Sequence, residues 1–398
     1  MEDVPWRDTF RAAAWRIAAL ALAPALGLGI GRFAYALVLP DMRADLGWSF
    51  VEAGAMNAVN AAGYLTGAVL AAPAIRRFGA TPVLVCGVAT CLLTLFASGL
   101  VRTFPVLGLT RAGAGVGGAF AFIAGGVLAT GIAGRHGRRA SFLIGLFYGG
   151  AGIGILLSGL VTPFLLAKLG AGSWPAAWLV FGALALPMAA AVGLAAPRGQ
   201  VGGANAAEPV RTGAMTAFLL AYTLFGAGYI AYMTFMLAFV QETGAGPGLQ
   251  AAFWATIGIA TMASPWLWAG VLRTGLHGRA FAILTAVTAL GAALPLARGG
   301  LATLIVSAAV FGCAFFSVVA STTAFVRRNY APGAWPSAIG RLTIAFSLGQ
   351  TVGPVAVGAV TDAWRGLSAG LWTSVGLLVA AVAAALAQRD LRASGDRV

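Results

Sequence analysis

The sequence predicts an all-α membrane protein with twelve transmembrane helices in two parallel six-helix repeats. Three observations predict this fold: the composition, the recurrence of long apolar segments, and a set of glycines that recurs at half the chain length. Of 398 residues, 60% are hydrophobic and only 9% are charged, whereas a soluble domain carries about 25% charged residues. A chain this apolar cannot cover a soluble core with polar surface, so the lipid bilayer is its expected solvent.

The apolar segments have the length of membrane-spanning helices, which need about 20 residues. Strands of a membrane β-barrel would be shorter and would alternate in polarity, whereas these segments are continuously apolar. Six of them come before the middle of the chain, at 15–39, 49–72, 81–101, 104–131, 140–167 and 175–196. Six more follow it, at 213–241, 249–272, 279–297, 301–326, 336–361 and 367–388.

One polar stretch, PRGQVGGANAAEPVRTG at 197–213, separates the two sets of spans. Its proline, its glycines and its low hydrophobicity are typical of a linker. We therefore expect an N-terminal half at 1–197, a cytoplasmic linker at 198–212 and a C-terminal half at 213–398.

The distribution of basic residues predicts the orientation of the chain. With the N-terminus inside, the inner segments carry 18 arginines and the outer loops carry five basic residues. Basic residues accumulate on the cytoplasmic side of membrane proteins. We therefore expect both termini in the cytoplasm of a bacterium and the chain in its cytoplasmic membrane.

An internal repeat is visible when the second half is placed on the first at an offset of 199 residues. Gly27 and Gly29 then align with Gly226 and Gly228, and Gly113 aligns with Gly312. A further set aligns in the fifth and eleventh spans, namely Gly150, Gly154, Gly159 and Thr162 with Gly349, Gly353, Gly358 and Thr361. Parallel repeats of six helices are one architecture of secondary transporters.

Several function classes lack their residues in this sequence. The net charge of +14 is spread singly or in pairs between apolar segments, without the contiguous basic face that nucleic-acid binding needs. The three cysteines and two histidines have no metal-ligand spacing, and no nucleophile, base and orienting residue share a segment. All eleven acids lie near loops or helix ends. We therefore expect no enzyme activity, no metal, no cofactor and no nucleic acid.

Two arginines, Arg32 and Arg111, lie inside predicted spans. A charge at such depth costs about 2.5–3.5 kcal/mol and normally faces a cavity or a partner. For Arg32 two interpretations remain open: a substrate-binding role, or a structural one, as an ion pair with an acid at the rim (Asp41, Asp45 or Glu52) or by snorkelling toward that rim. For Arg111 the alternative to substrate binding is a helix-packing or gating role. At the offset of 199 both arginines align with apolar residues, Ala231 and Val310, which favours a substrate-specific role.

Other polar and aromatic side chains are candidates to line a central cavity. Asn57, Asn60 and Tyr64 share one face of the second span, and either hydrogen bonding between helices or cavity lining would explain them. An aromatic stripe runs along the seventh span, where packing is the alternative interpretation. The predicted substrate-binding residues are Arg32, Arg111, Tyr35, Asn57, Asn60, Tyr64, Tyr229, Tyr232 and Gln350.

Three motifs resemble the major facilitator superfamily. GIGRFAYALVLPDM in the first span is similar to the YbfB/YjiJ-like branch, RAGAGVGG at 111–118 resembles the arginine-bearing motif of its fourth helix, and GQTVGPVAVGAVTD at 349–362 resembles its glycine-rich eleventh helix. The loop APAIRRFGATP keeps an arginine and a glycine of the family's cytoplasmic motif but lacks its acid. The resemblance implies alternating access, with gating residues Arg77, Gly79, Gly150, Gly154, Gly349 and Gly353.

The predicted function is therefore secondary active transport of a small solute across the cytoplasmic membrane. Two buried guanidiniums without a facing carboxylate favour an organic anion, since the planar fork of arginine fits carboxylate or phosphate. The expected partners are this substrate, the lipid bilayer and a coupling ion, and the expected state is a monomer. The alternatives are an efflux carrier for hydrophobic or drug-like compounds and a membrane sensor that transports nothing.

Overall fold

The computed structural model describes residues 9–197, 213–274, 278–297, 300–364, 366–389 and 391. The predicted linker 198–212 lies outside the described residues. In the described part, the chain forms twelve long helices, and the first of them, α1, changes its helical type along its length. They are α1 (Phe10–Leu46), α2 (Phe50–Phe78), α3 (Ala80–Leu100), α4 (Phe104–Ala133), α5 (Ala140–Leu169), α6 (Trp174–Ala195), α7 (Thr216–Glu242), α8 (Pro247–Leu267), α9 (Arg279–Ala297), α10 (Leu301–Asn329), α11 (Trp335–Trp364) and α12 (Leu367–Leu386).

The predicted all-α membrane fold is confirmed. Eleven of the helices in the described part are long and apolar enough to cross a membrane; α8 is not among them, although its 21 residues are enough to span. The helix bounds differ from the predicted spans because helices continue beyond the apolar run into charged residues. The first helix, predicted at 15–39, extends over Phe10–Leu46.

The two ends of the helix bundle are named here by their turns. The linker face holds 134–139, 197, 213–215 and 330–334, and the distal face holds 47–49, 101–103, 170–173 and 243–246. All five acids among the described residues lie within five residues of a distal helix end; they are Asp41, Asp45, Glu52, Glu242 and Asp362.

Helix α1 contains a π-helical segment, Ala25–Phe33, whose residues are all buried. It lies between α4 and α5 at backbone contact distance. A Cβ on Gly27 would stand 2.8 Å from the Cα of Gly118, and one on Gly29 would stand 2.5 Å from the carbonyl oxygen of Ala151. Because real Cβ atoms do not approach this closely, the glycines of the first span allow the tight packing of this segment.

The glycines of α5 and α11 occupy equivalent places in the two halves. A Cβ on Gly150 would stand 2.0 Å from the carbonyl oxygen of Ala21, and one on Gly349 would stand 1.9 Å from that of Thr223. Gly154 and Gly353 meet Ala25 and Ala227 in the same way. The glycines of the two halves lie 199 residues apart, whereas the residues that they contact, Ala21 and Thr223 or Ala25 and Ala227, lie 202 residues apart.

The predicted alignment of Gly27 with Gly226 does not hold in the packing. Gly27 meets Gly118 of α4, whereas Gly226 meets the carbonyl oxygen of Phe346 in α11. Helix α1 is π-helical over Ala25–Phe33, whereas α7 is α-helical throughout Thr216–Glu242, so one constant offset does not relate the two helices.

A carboxylate joins the two halves at the distal face. Asp362, near the end of α11, accepts hydrogen bonds from the backbone N–H groups of Phe50 and Val51 at the start of α2, both at 3.0 Å. Negative charge is favoured at a helix N-terminus, where N–H groups lack intrahelical partners. Nearby, Gly54 and Gly358 allow α2 and α11 to touch through their backbones.

On the linker side of Arg32 the halves meet through aromatic rings. The rings of Phe122 in α4 and Phe316 in α10 lie 6.4 Å apart, edge to face. The two halves therefore contact each other on both the distal and the linker side of Arg32.

Replacing Asp362 with asparagine should weaken the distal closure. A hydrogen bond to a charged acceptor contributes about 1.5–3 kcal/mol, and less at an exposed position. We expect a loss of about 1 kcal/mol, hence roughly a fivefold rise in the open population. Spin labels at Thr103 and Leu301, in a variant without native cysteines, would report this rise as a longer distance.

The matched control is Asp45→Asn, because Asp45 bonds Arg102 and the indole of Trp174, both in its own half. This variant should leave the distance distribution unchanged. Identical distributions in Asp362→Asn and the parent protein would show that the carboxylate does not hold the distal face closed.

Candidate functional site

Arg32 lies in the π-helical segment of α1 and is 3% exposed. In the described structure its Nε and Nη2 atoms have no hydrogen-bond partner. Its guanidinium lies 5.6 Å from the ring centroid of Tyr64 on α2. A buried cation normally requires a paired anion or several acceptors, so these two unsatisfied donors are the most unusual polar feature of the molecule.

The structural alternative for Arg32, an ion pair with an acid at the rim, is wrong. The carboxylate of Asp41 accepts from the backbone N–H groups of Gly172 and Trp174. Asp45 pairs with Arg102 at 3.2 Å, and Glu52 forms a capping box with Ser49. These acids serve the turns of the distal face, which leaves none of them for Arg32.

Arg111, in α4, makes the contacts that Arg32 lacks. Its Nη1 donates to the carbonyl oxygen of Gly31 at 2.7 Å, and its Nη2 donates to that of Arg32 at 3.5 Å. Its guanidinium lies 4.7 Å from the ring centroid of Tyr35 and 5.6 Å from that of Trp178. Arg111 is therefore bonded to the end of the π-helical segment through its Nη atoms, while its Nε has no partner among the described residues.

Tyr35 and Asn60 belong to the surroundings of Arg111. The hydroxyl of Tyr35 donates to the carbonyl oxygen of Ala53 at 2.8 Å, which ties α1 to α2. The side-chain amide of Asn60 donates to the backbone carbonyl of Arg111 at 2.9 Å, which ties α2 to α4. Both side chains hold the N-terminal helices together.

Asn57 bridges the halves. Its Nδ2 donates to the hydroxyl of Thr234 on α7 at 2.5 Å, while its Oδ1 has no partner among the described residues. This hydrogen bond ties α2 of the first half to α7 of the second.

Tyr229 and Gln350 join Arg32 from the C-terminal half. Gln350 donates through its Nε2 to the hydroxyl of Tyr229, and its Oε1 is buried without a partner in the described part of the chain. Tyr229 stacks on Phe315, and the ring of Phe315 also meets Phe33, the residue that follows Arg32 in α1. Arg32, Tyr64, Tyr229 and Gln350 therefore surround one place between the halves, which we call the central site.

An aromatic wall borders the central site. Tyr229 stacks on Phe346 with ring centroids 5.6 Å apart and on Phe315 at 5.9 Å. Phe33, the neighbour of Arg32, meets Phe315 edge to face at 5.9 Å. Sequence reasoning did not single out Phe33 and Phe346; the available signals were the place of Phe33 next to Arg32 and the helical spacing of Phe346 from Gln350.

Tyr232 lies outside the central site. Its hydroxyl hydrogen-bonds the hydroxyl of Ser307 at 3.1 Å, and its ring stacks on Phe311 at 4.4 Å. It packs α7 against α10. The structure therefore separates Tyr229 and Tyr232, which the sequence placed in one stripe.

The predicted gating residues Arg77 and Gly79 lie at the linker face. Gly79 ends α2 with φ 90°, a backbone conformation that favours glycine, so the tight turn into α3 depends on it. The guanidinium of Arg77 lies 5.3 Å from the ring centroid of Phe78. Within the described ranges, no group of three or more His, Cys, Asp or Glu residues could hold a metal ion.

Comparison with known proteins identifies relatives of the whole chain. The model of a family described as uncharacterised MFS-type transporter YbfB matches residues 24–388. A search of curated proteins found no significant match.

Two similar solved structures cover nearly all of the chain. The crystal structure of the nucleoside transporter NupG is 17% identical and covers 94% of this chain and 97% of its own, with a TM-score of 0.68. A bacterial homolog of the human lysosomal transporter Spinster, in an inward-facing and unoccupied conformation, is 16% identical. It covers 97% of this chain and 98% of its own, with a TM-score of 0.71. At these identities the likeness establishes the fold.

The two arginines should respond oppositely to substitution. Arg111→Gln leaves buried carbonyls of α1 without donors, at about 1–3 kcal/mol for each unsatisfied group, so we expect a clearly lower melting temperature. Arg32→Gln removes a buried charge without a paired acid, so the melting temperature should stay equal or rise. Thermal unfolding of the purified proteins in the same detergent measures both. A large loss in Arg32→Gln would show that Arg32 holds the fold together.

Proposed function

The chain belongs to the major facilitator superfamily, in the family of YbfB-like transporters, and from this membership we propose that it carries a small organic anion across the membrane. Arg32 binds the anionic group in the central site. The solute moves by alternating access, in which the two six-helix halves rock around that site. For this proposal the halves are 1–197 and 213–398, joined by the linker 198–212.

The single observation that carries the proposal is the unpaired guanidinium of Arg32. Its Nε and Nη2 atoms are buried and lack partners in the described structure, and they are the two adjacent donors that a carboxylate accepts side by side. Desolvating a charge without pairing it is costly. A bound anion would offset that cost, which supports an anionic ligand over a cationic one.

The aromatic wall supports an apolar or planar body on that anion. Tyr229, Phe315 and Phe346 present stacked rings beside Arg32. Such rings favour a flat ligand that stacks on them. The unsatisfied Oε1 of Gln350 and Oδ1 of Asn57 would accept from a donor group elsewhere on the ligand.

Arg111 has a positioning role in this proposal. Its Nη atoms already donate to helix α1, so it fixes the segment that carries Arg32 and does not itself bind the anion. Asn60 and Tyr35 share that role. The proposed ligand contacts are therefore Arg32, Tyr64, Tyr229 and Gln350, with Asn57 at the edge.

The distribution of acids bears on energy coupling. The described acids lie near the distal face, away from the central site, so a side-chain proton carrier beside Arg32 is not part of the proposal. Exchange of anions, facilitated diffusion, or symport in which the substrate or a rim acid carries the proton fits this arrangement. A non-transporting sensor has no specific observation in its favour.

The site predicts selectivity by charge among ligands of one shape. Benzoate should bind purified protein, whereas benzamide should bind at least roughly tenfold more weakly, since a charged hydrogen bond is worth about 1.5–3 kcal/mol. Benzylammonium should not bind. Isothermal titration calorimetry measures all three, and a neutral nucleoside is added because NupG is a nucleoside transporter.

The matched variants are Arg32→Gln and Arg43→Gln. Arg43 is also a cation over an aromatic ring, 4.1 Å from the centroid of Phe50, but it lies at the distal face. Benzoate binding should be lost in the first variant and kept in the second. Equal affinity for benzoate and benzamide, or tighter binding of benzylammonium, would support the efflux of neutral or cationic compounds instead.

We also propose that the linker face is cytoplasmic, in a bacterial cytoplasmic membrane. Described arginines such as Arg76, Arg77 and Arg135 lie at that face, and the five described acids lie at the other. This distribution follows the positive-inside rule.

Reporter fusions test the orientation. Fusions after residues 137, 205 and 275 should report the cytoplasm, and fusions after 45 and 299 should report the outside, because basic loops stay on the cytoplasmic side. The opposite pattern would reverse the orientation while leaving the central site in place.

A further inference from the structure

A second cavity lies far from the central site, near the linker face. It has a volume of about 520 Å³, within the range of about 300–1,000 Å³ typical of ligand pockets. Helices α2, α3 and α4 form it, through residues that include Leu70, Ala74, Phe78, Cys86 and Phe120, with Arg77 as its charged residue. The cavity is thus apolar apart from one guanidinium.

The cavity opens sideways into the bilayer. Leu70, Phe78 and Cys86 are exposed, and they belong to helices that cross the membrane, so the medium outside them is lipid. Toward the interior, Gly63 and Gly67 bring α2 into backbone contact with Ala112 and Val116 of α4. None of the residues that line the cavity belongs to the central site, so its occupant is distinct from the solute of that site.

The charge of the cavity complements an anion. Arg77 is exposed, and its one described contact is the ring of Phe78. Among the residues that the structure describes, no acid lies on the linker face, so no described carboxylate pairs with Arg77 or the neighbouring Arg76. A ligand that fits must therefore combine an apolar chain within the membrane with an anionic group at the membrane surface.

We propose that this cavity binds an anionic phospholipid of the leaflet at the linker face. One acyl chain fills the space between α2 and α3, and the phosphate contacts Arg77. Arginines next to a membrane-spanning helix attract anionic lipid at about 1 kcal/mol each, and the buried chain adds apolar area.

The lipid would act on α2. Pro73 lies inside this helix, where a proline removes one backbone hydrogen bond and weakens the last turns. A chain packed against Leu70 and Ala74 would stabilise these turns. Because α2 also carries Tyr64 of the central site, lipid occupancy would set the position of one wall of that site.

The test compares lipids with identical acyl chains. Native mass spectrometry of the full chain should show phosphatidylglycerol bound about fivefold more than phosphatidylcholine, the ratio expected for one arginine. Arg77→Gln should abolish this ratio, and Arg77→Lys should keep most of it. Ala74→Phe, which fills the cavity, should reduce binding of both lipids. Thermal unfolding without lipid verifies that each variant is folded.

The matched control is Arg135→Gln, an exposed arginine of the same face outside the cavity. It should leave the lipid ratio unchanged. Glycerol phosphate, the headgroup without chains, should not compete with phosphatidylglycerol. An equal loss in Arg77→Gln and Arg135→Gln would overturn the proposal in favour of general surface attraction. Full competition by glycerol phosphate would overturn it in favour of a simple phosphate site.

Discussion

The structure depends on the bond between Arg111 and the backbone of helix α1. The first half of the molecule packs around a π-helical segment, Ala25–Phe33, whose residues are all buried. Arg111 donates to the carbonyls of Gly31 and Arg32 and is itself enclosed by Tyr35 and Trp178. This bond fixes where α1 changes helix type, and therefore the direction in which Arg32 projects.

The two buried arginines thus have different roles, although their sequence contexts are similar. Both lie in apolar spans, both lack an acidic partner and both align with apolar residues in the other half. What distinguishes them is a set of backbone carbonyls, which no side-chain pattern reveals. Arg111 satisfies its Nη donors within the protein, whereas Arg32 keeps two donors for something else.

Hydropathy was enough to predict the twelve helices, because the bilayer imposes one length and one polarity on every span. The recurrence of the glycines of α5 and α11 was also predictable from the sequence, because close contact between helices requires glycine in both halves. The direction in which each side chain projects was not, because composition alone does not fix how a span is rotated about its axis. Tyr229 and Tyr232 illustrate this: three residues apart on α7, one reaches Gln350 and the other Ser307.

The most direct measurement of the central claim is a crystal structure with 4-bromobenzoate, in which anomalous scattering locates the bromine. The account predicts the carboxylate about 2.7–2.9 Å from the Nε and Nη2 atoms of Arg32. It also predicts that the bromophenyl ring packs against Tyr229 and Phe315 and that Arg111 remains hydrogen-bonded to the carbonyl of Gly31. A ligand bound elsewhere, with Arg32 left as it is or paired with a protein carboxylate, would contradict the account.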